Sequence, residues 1–222
     1  MPVLLAFGLP PHLALGTNKA QSTFGTALAV WRYFKADLIP ASHALAPAVI
    51  ATFLAALAGT WAVSQLPKNQ LRTVIPWLLL GIAIYTLFSP RLGDHASKPK
   101  LKPLTFALLF GAFLGFYDGF FGPGTGAFWT IGSISMLGLS LPQATAYTKV
   151  VNLTSNIAAL LLFAIYGQVR YDYAAVMVLG QLLGAQLGSG LAIKHGAPFI
   201  RPLFITVVLA LVARLLWQSF TS

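Results

Sequence analysis

The sequence predicts an all-α protein that is embedded in a membrane and crosses it several times. Of its 222 residues, 57% are hydrophobic and 8% are charged, and the mean hydropathy is +0.78. Soluble domains carry about 25% charged residues. A soluble fold of this length has no way to hide so much apolar surface from water, so the solvent of this chain is a lipid bilayer.

Long apolar segments define the predicted spans, because a helix needs roughly 20 mainly apolar residues to cross the hydrocarbon core. These segments are 17–33, 44–65, 73–88, 145–166, 174–193 and 202–218. A shorter apolar piece, residues 2–9, lies ahead of them. It has no basic region before it and therefore does not resemble a signal peptide.

Residues 104–139 do not fit a single span. As one helix they would be about 54 Å long, whereas the hydrocarbon core is roughly 30 Å thick. Within them, residues 115–126 read Gly-Phe-Tyr-Asp-Gly-Phe-Phe-Gly-Pro-Gly-Thr-Gly. We expect two shorter helices that meet at 118–126, either as a hairpin that re-enters from one side or as a broken span with a short return. Irregular backbone at membrane depth needs protein or a watery cavity around it, and broken helices often mark the binding sites of transporters.

A basic linker divides the chain into two predicted repeats. Residues 89–103 hold three prolines and four of the 14 basic residues, which places them on the cytoplasmic side. The first repeat is 1–88 and the second is 104–222, because 8–19 aligns with 138–149 and superposes Lys19 on Lys149. This alignment leaves the first repeat without a broken helix, as an N-terminally truncated copy. The sequence leaves open whether its start lies upstream and whether the halves are inverted or parallel.

Composition also excludes several classes of function. The net charge is +10, but the basic residues cluster where apolar segments end, which suits lipid headgroups and excludes a nucleic-acid partner. The chain has no Cys, and its four His lack the spacing of a metal site. We therefore expect no metal and no cofactor. Because the sequence offers no nucleophile and base in a catalytic arrangement, we expect that this protein is not an enzyme.

Asp118 is the carboxylate that lies clearly inside an apolar segment, where a charge costs roughly 2.5–3.5 kcal/mol on insertion scales. It has three candidate roles: to carry a proton, to pair with Lys149, or to cap the helix break. The turn at 123–126 is expected to begin a helix whose free N–H groups suit a small anion. The plainer interpretation of the turn is a tight bend that only packing requires.

Two polar helix starts carry Lys19 and Lys149 at equivalent positions of the predicted repeats. In the second, Lys149, Asn152 and Asn156 share one helical face. A polar stripe with one cation favours an anion path, while snorkelling lysines and ordinary interhelical hydrogen bonds are the alternative. The predicted substrate-binding residues are Asp118, Gly122, Pro123, Gly124, Thr125 and Gly126 at the break, Thr17, Asn18, Lys19, Gln21 and Ser22 in the first half, and Thr148, Lys149, Asn152 and Asn156 in the second.

Small residues at four-residue spacing predict close helix contacts. Gly180, Gly184 and Gly188 form one such ridge, and Ala51, Ala55 and Gly59 form another. We interpret both as packing or dimer faces, and the first as a homodimer contact. Trp129, just after the break, either lines a pocket or packs, and packing is the expectation.

At residues 115–126, and again at 16–26, the chain resembles the TauE/SafE sulfite exporter family of membrane transporters. The resemblance implies a multi-pass permease of the bacterial inner membrane with two related halves. It also implies a substrate among sulfite, sulfonates and related small organic anions. The resulting prediction is an anion permease, an exporter, that works by alternating access between the repeats. The alternative is a membrane-embedded accessory or interaction subunit that transports nothing itself.

Overall fold

The structure, a computed structural model, describes residues 2–40, 45–67, 69–71, 74–75 and 98–195, and all regular structure in them is helical. The helices whose bounds it gives are α1 (Pro2–Ala6), α2 (Pro11–Lys35), α3 (Leu45–Ser64), α4 (Pro103–Phe120), α5 (Thr125–Leu137), α6 (Leu141–Ile165) and α7 (Tyr171–His195). By length and composition, α3, α4, α6 and α7 can each cross a membrane. The predicted all-α membrane fold is confirmed. The predicted span 202–218 lies outside the described residues, as does all of 73–88 except 74–75.

Prolines, glycines and one side-chain cap set the helix boundaries. Both α2 and α4 begin with a proline. Proline lacks an N–H, but the N–H groups of a first turn have no hydrogen-bond acceptor within the helix, so no helical hydrogen bond is lost there. α2 ends with Arg32 and Lys35, which suit the negative end of the helix dipole. α5 ends at Gly138, which has a φ of +72°. At the start of α6, Gln143 Oε1 accepts hydrogen bonds from the N–H and the hydroxyl of Ser140 at 3.3 and 3.0 Å.

Small residues bring α3 and α4 into backbone contact. A Cβ added to Gly119 of α4 would lie 2.1 Å from the carbonyl oxygen of Ala56, and one added to Gly59 of α3 would lie 2.1 Å from that of Phe116. No side chain fits such a gap, so glycine is required on both sides. The ridge through Ala51, Ala55 and Gly59 is therefore a face that packs one helix on another, as small residues allow in membranes.

The segment between α4 and α5 is a hairpin, which decides between the two geometries open from the sequence. Just before α4, the N–H groups of Lys100 and Leu101 donate to the carbonyl of Met136, near the end of α5, at 2.8 and 3.1 Å. Nearer the break, the rings of Tyr117 and Phe128 lie 5.9 Å apart. The two helices thus run antiparallel, and the chain returns to the side from which it entered.

An aromatic cluster fills the space between α4, α5 and α6. Trp129 is fully buried there, with its ring centroid 6.0 Å from those of both Phe106 and Tyr147. Phe110 stacks on Phe106 at 4.2 Å. Packing is thus the role in which the structure places Trp129, as expected.

Helix α6 is the central element of the described bundle, because it contacts α2, α3, α4 and α5. α2 runs antiparallel to it. Near the start of α2, Gly16 approaches Phe163, and further along, Thr26 accepts a hydrogen bond from Asn156. The polar positions of α2 and α6 consequently face the helix break from two sides.

Candidate functional site

The break between α4 and α5 is an ordered turn that glycine makes possible. Gly122 and Gly124 have φ values of +95° and +84°, which side chains other than glycine adopt at a cost. The phenol of Tyr117 donates to the carbonyl of Pro123 at 2.7 Å, and the hydroxyl of Thr125 donates to that of Gly122 at 2.6 Å. These bonds satisfy carbonyls that the interrupted helix would otherwise leave exposed.

Asp118 and Lys19 form a buried ion pair at this break. Lys19 Nζ lies 2.8 Å from Asp118 Oδ1, and their side chains are 3% and 7% exposed. The hydroxyls of Thr125 and Ser155 also donate to the carboxylate. Lys19 donates in addition to Asn156 Oδ1 at 3.2 Å. We call these five residues the ion-pair cluster; it joins α2, α4, α5 and α6.

The cluster corrects two of the three roles proposed for Asp118, the pairing with Lys149 and the backbone cap. The partner of its carboxylate is Lys19, which precedes the linker, and not Lys149. Ser155, which also holds the carboxylate, lies six residues beyond Lys149 on α6, or about 9 Å along the helix axis. Its described hydrogen-bond donors are all side chains, so Asp118 acts through the contact between helices rather than as a backbone cap.

The backbone of Gly122 packs directly against the ion pair. A Cβ at this position would lie 2.9 Å from Asp118 Oδ1 and 3.1 Å from Lys19 Nζ. Even a methyl group would therefore crowd both charged atoms. The glycine that makes the turn thus also lets the backbone approach both charges closely.

The ion-pair cluster lies near the middle of α2 and α6, at the point where α4 ends and α5 begins. The start of α2 adjoins the end of α6, where the N–H of Arg170 donates to Thr17 at 3.0 Å. From that end, Lys19 is eight residues into α2 and Ser155 is ten residues into α6, which is about 12 and 15 Å. These distances are close to half of the roughly 30 Å hydrocarbon core.

A second polar group lies between the break and α6, and we call it the threonine–asparagine niche: Gly126, Thr130, Thr148 and Asn152. Thr130 donates to the carbonyl of Gly126 at 2.8 Å, and its oxygen is 3.0 Å from that of Thr148. Asn152 Nδ2 would be 3.2 Å from a Cβ on Gly126. Asn152 Oδ1 is buried and has no hydrogen-bond partner in the described parts of the chain. The niche thus contains an amide whose hydrogen-bonding capacity is not used up.

Lys149 is half-buried and lies one turn before Asn152 on α6. Within the described ranges it makes neither an ion pair nor a hydrogen bond. Because Lys19 already neutralises Asp118, the charge of Lys149 is unmatched there. The structure therefore places an uncompensated cation next to the niche.

The remaining predicted residues of α2 divide into two groups. Thr17 is fully buried but lies at the turn into α7, away from the break, where it accepts from Arg170. Gln21 Nε2 donates to Asn18 Oδ1 at 3.3 Å and to Ser22 Oγ at 3.0 Å, which extends the polar face of α2.

Four residues that contribute polar contacts were absent from the predicted set: Tyr117, Thr130, Ser155 and Thr26. Helical spacing carried a signal for two of them. Ser155 follows Asn152 by three residues, and Thr26 follows Ser22 by four, so each shares a face with a predicted residue. Tyr117 and Thr130 act through the folded turn, which spacing does not reveal.

A buried ion pair at a helix break, among helices long and apolar enough to cross a bilayer, is typical of membrane transporters. Comparison with known proteins agrees, since the family model of the sulfite exporter TauE/SafE matches residues 1–215. The chain belongs to this family of membrane transporters.

Its relatives are described as probable membrane transporter proteins. One from Haemophilus influenzae is 39% identical over 99% of this chain and 86% of its own length. A relative from Sinorhizobium sp. is 38% identical over 97% of this chain and 82% of its own length. YfcA of Escherichia coli K12 is 36% identical over 99% of this chain and 81% of its own length. No solved structure matches the chain.

Proposed function

We propose that this protein is a multi-pass permease of the bacterial inner membrane that exports a small sulfur-containing or organic anion, of the sulfite or sulfonate type. The family description names a sulfite exporter. Transport rather than catalysis is the function we assign. The single observation that supports an anionic substrate is the charge of Lys149 beside the threonine–asparagine niche, which has no counter-ion among the described residues.

The chemistry of the niche suits an anion. Asp118 does not repel it, because the ammonium of Lys19 lies 2.8 Å from that carboxylate. Asn152 provides an amide donor against Gly126, in the first turn of α5. The N-terminus of a helix carries partial positive charge, which favours an anion there.

The ion-pair cluster also suits alternating access. Lys19 precedes the linker, whereas Asp118 and Asn156 follow it, so the cluster ties the two predicted repeats together at the helix break. Rocking of one repeat against the other would break and re-form these bonds around a substrate.

Flux measurements on purified protein in proteoliposomes test this function. The panel is sulfite, methanesulfonate and acetate, with Lys149→Ala as the variant and Lys194→Ala, an exposed lysine at the end of α7, as the control. We expect Lys149→Ala to lower anion flux at least about tenfold, as a loss of about 1.4 kcal/mol would. Wild-type flux in Lys149→Ala would remove this residue from the site, and movement of uncharged solutes alone would end the anion assignment.

We further propose a homodimer through Gly180, Gly184 and Gly188. A Cβ at any of the three would meet nothing within 4 Å among the described residues, so this ridge of α7 has no close neighbour there. Gly184→Leu should shift the purified protein from dimer to monomer in light scattering. A wild-type protein that is monomeric, or a variant that stays dimeric, would argue against this face.

A further inference from the structure

The carboxylate of Asp118 has one cationic partner among the described residues, the ammonium of Lys19. The charged or titratable side chains around it are Lys19 from α2 and its neighbour Tyr117 on α4. α5 and α6 add the neutral hydroxyls of Thr125 and Ser155, and α3 packs there through Ala56, Gly59 and Thr60, none of which titrates. Lys149 lies about 9 Å from Ser155 along the axis of α6 and makes no contact with the carboxylate in the described structure. The charge balance of Asp118 therefore depends on where Lys19 is.

An anion in the ion-pair cluster would compete with Asp118 for Lys19. Asn156 accepts from Lys19 and lies on the face of α6 that begins at Lys149, so an anion that moves along this face meets Lys19 next. Gly122 packs against both charged atoms with its backbone alone, since even a Cβ there would lie 2.9 Å from Asp118 Oδ1. Once the ammonium turns to the anion, Asp118 becomes a carboxylate that is 5% exposed and has no counter-ion. A buried group in that state becomes neutral by binding a proton.

We propose that Asp118 is a proton-binding site and that this permease carries one proton with each anion. The inference rests on the proposed function and names its coupling ion. On the loading side, Asp118 takes a proton from water while the anion pairs with Lys19. On the other side, the anion leaves, the ammonium returns to the carboxylate, and the proton passes to the water there. A monoanion and its proton cross together without net charge.

The coupling has a defined sign. Because anion and proton each favour binding of the other, they move in the same direction, and the linkage is reciprocal. Each unit of pH difference across the membrane then balances about a tenfold ratio of anion concentrations. Export proceeds when the ratio of internal to external anion concentration exceeds this balance value. An acidic exterior raises the balance value and therefore opposes export.

Proteoliposomes containing the full chain and an internal pH dye test the proposal with methanesulfonate, whose acid is ionised at every pH used. We expect wild type to acidify the lumen during methanesulfonate uptake and to accumulate it roughly tenfold per unit of inward proton gradient. In Asp118→Asn, whatever exchange of labelled for unlabelled methanesulfonate remains should no longer respond to the proton gradient. This variant should lose both the accumulation and the dye signal. The control is Asp172→Asn, an exposed acid paired with Arg170, which should behave as wild type.

Each result decides something different. Wild-type methanesulfonate flux without a dye signal overturns proton coupling and leaves the anion permease intact. Absence of both methanesulfonate and sulfite flux in wild type overturns the proposed function, and the coupling with it. Proton-driven accumulation by Asp118→Asn overturns the assignment to this residue. If Asp118→Asn does not exchange at all, Ser155→Ala decides instead: it should raise the pH of half-maximal proton-driven flux, and an unchanged midpoint overturns the assignment.

Discussion

Replacing Lys19 with methionine should strongly destabilise the protein, because it leaves Asp118 as an unpaired charge in the interior. At the Nζ–Oδ1 distance of 2.8 Å, the attraction is about 6 kcal/mol at an effective dielectric constant of 20. Loss of solvation offsets part of this attraction. Breaking such a pair by removal of one member typically costs about 3–5 kcal/mol, and we expect Lys19→Met in this range.

Thermal unfolding of the purified protein in detergent measures this loss. A chain of this size shifts its midpoint by about 2–4 °C per kcal/mol, so Lys19→Met should unfold roughly 10 °C below wild type. The deficit should shrink as the pH is lowered, because protonation removes the unpaired charge of Asp118. The double variant Lys19→Met with Asp118→Asn should recover most of the loss, since it leaves no buried charge behind.

Lys149→Met is the matched control, because Lys149 has no ion pair in the described structure. Its removal takes a half-buried charge out of an apolar helix and should leave the midpoint unchanged or raise it. The reasoning would be refuted if the double variant were as unstable as Lys19→Met alone. The cost would then lie in the packing of Lys19 and not in its charge.

Two further predictions concern the helix contacts. Gly119→Ala should cost about 1–3 kcal/mol of stability, because its Cβ would lie 2.1 Å from the carbonyl oxygen of Ala56. An unfolding midpoint of Gly119→Ala equal to that of wild type would contradict this packing. Tyr117→Phe removes the hydrogen bond to the carbonyl of Pro123, worth about 1 kcal/mol, and should speed amide hydrogen exchange at residues 121–126. Unchanged exchange there would show that this bond does not hold the turn.

Much of the candidate site could be predicted because its signals are local. Glycine and proline at 122–124 break a helix wherever they occur, since the requirement is conformational. The small residues at 51, 55 and 59 indicated a close contact for the same kind of reason. The polar face of α6 followed from helical spacing alone, which also indicated Ser155 beside Asn152.

The partner of Asp118 could not be predicted in this way. Lys19 and Lys149 are equivalent by pattern, and Lys149 is the nearer in sequence. Asp118 pairs with Lys19, 99 residues away in the sequence. The reason is that α2 packs antiparallel on α6, which brings the third turn of α2 to the break. Thr130 and Tyr117 act at the break for a similar reason, through contacts that exist only once α5 has folded back on α4.

By itself, the sequence determined that the chain lies in a membrane, that its described structure is helical, and that a helix is interrupted within 118–126, where the structure places the break at 121–124. These properties follow from apolar length and backbone conformation, which a local stretch of chain already contains. The tertiary structure decided that the interrupted segment is a hairpin, and that Lys19 neutralises Asp118 while Lys149 has no counter-ion among the described residues. Such pairings depend on which helices pack together and in which direction, and that is set by the whole bundle.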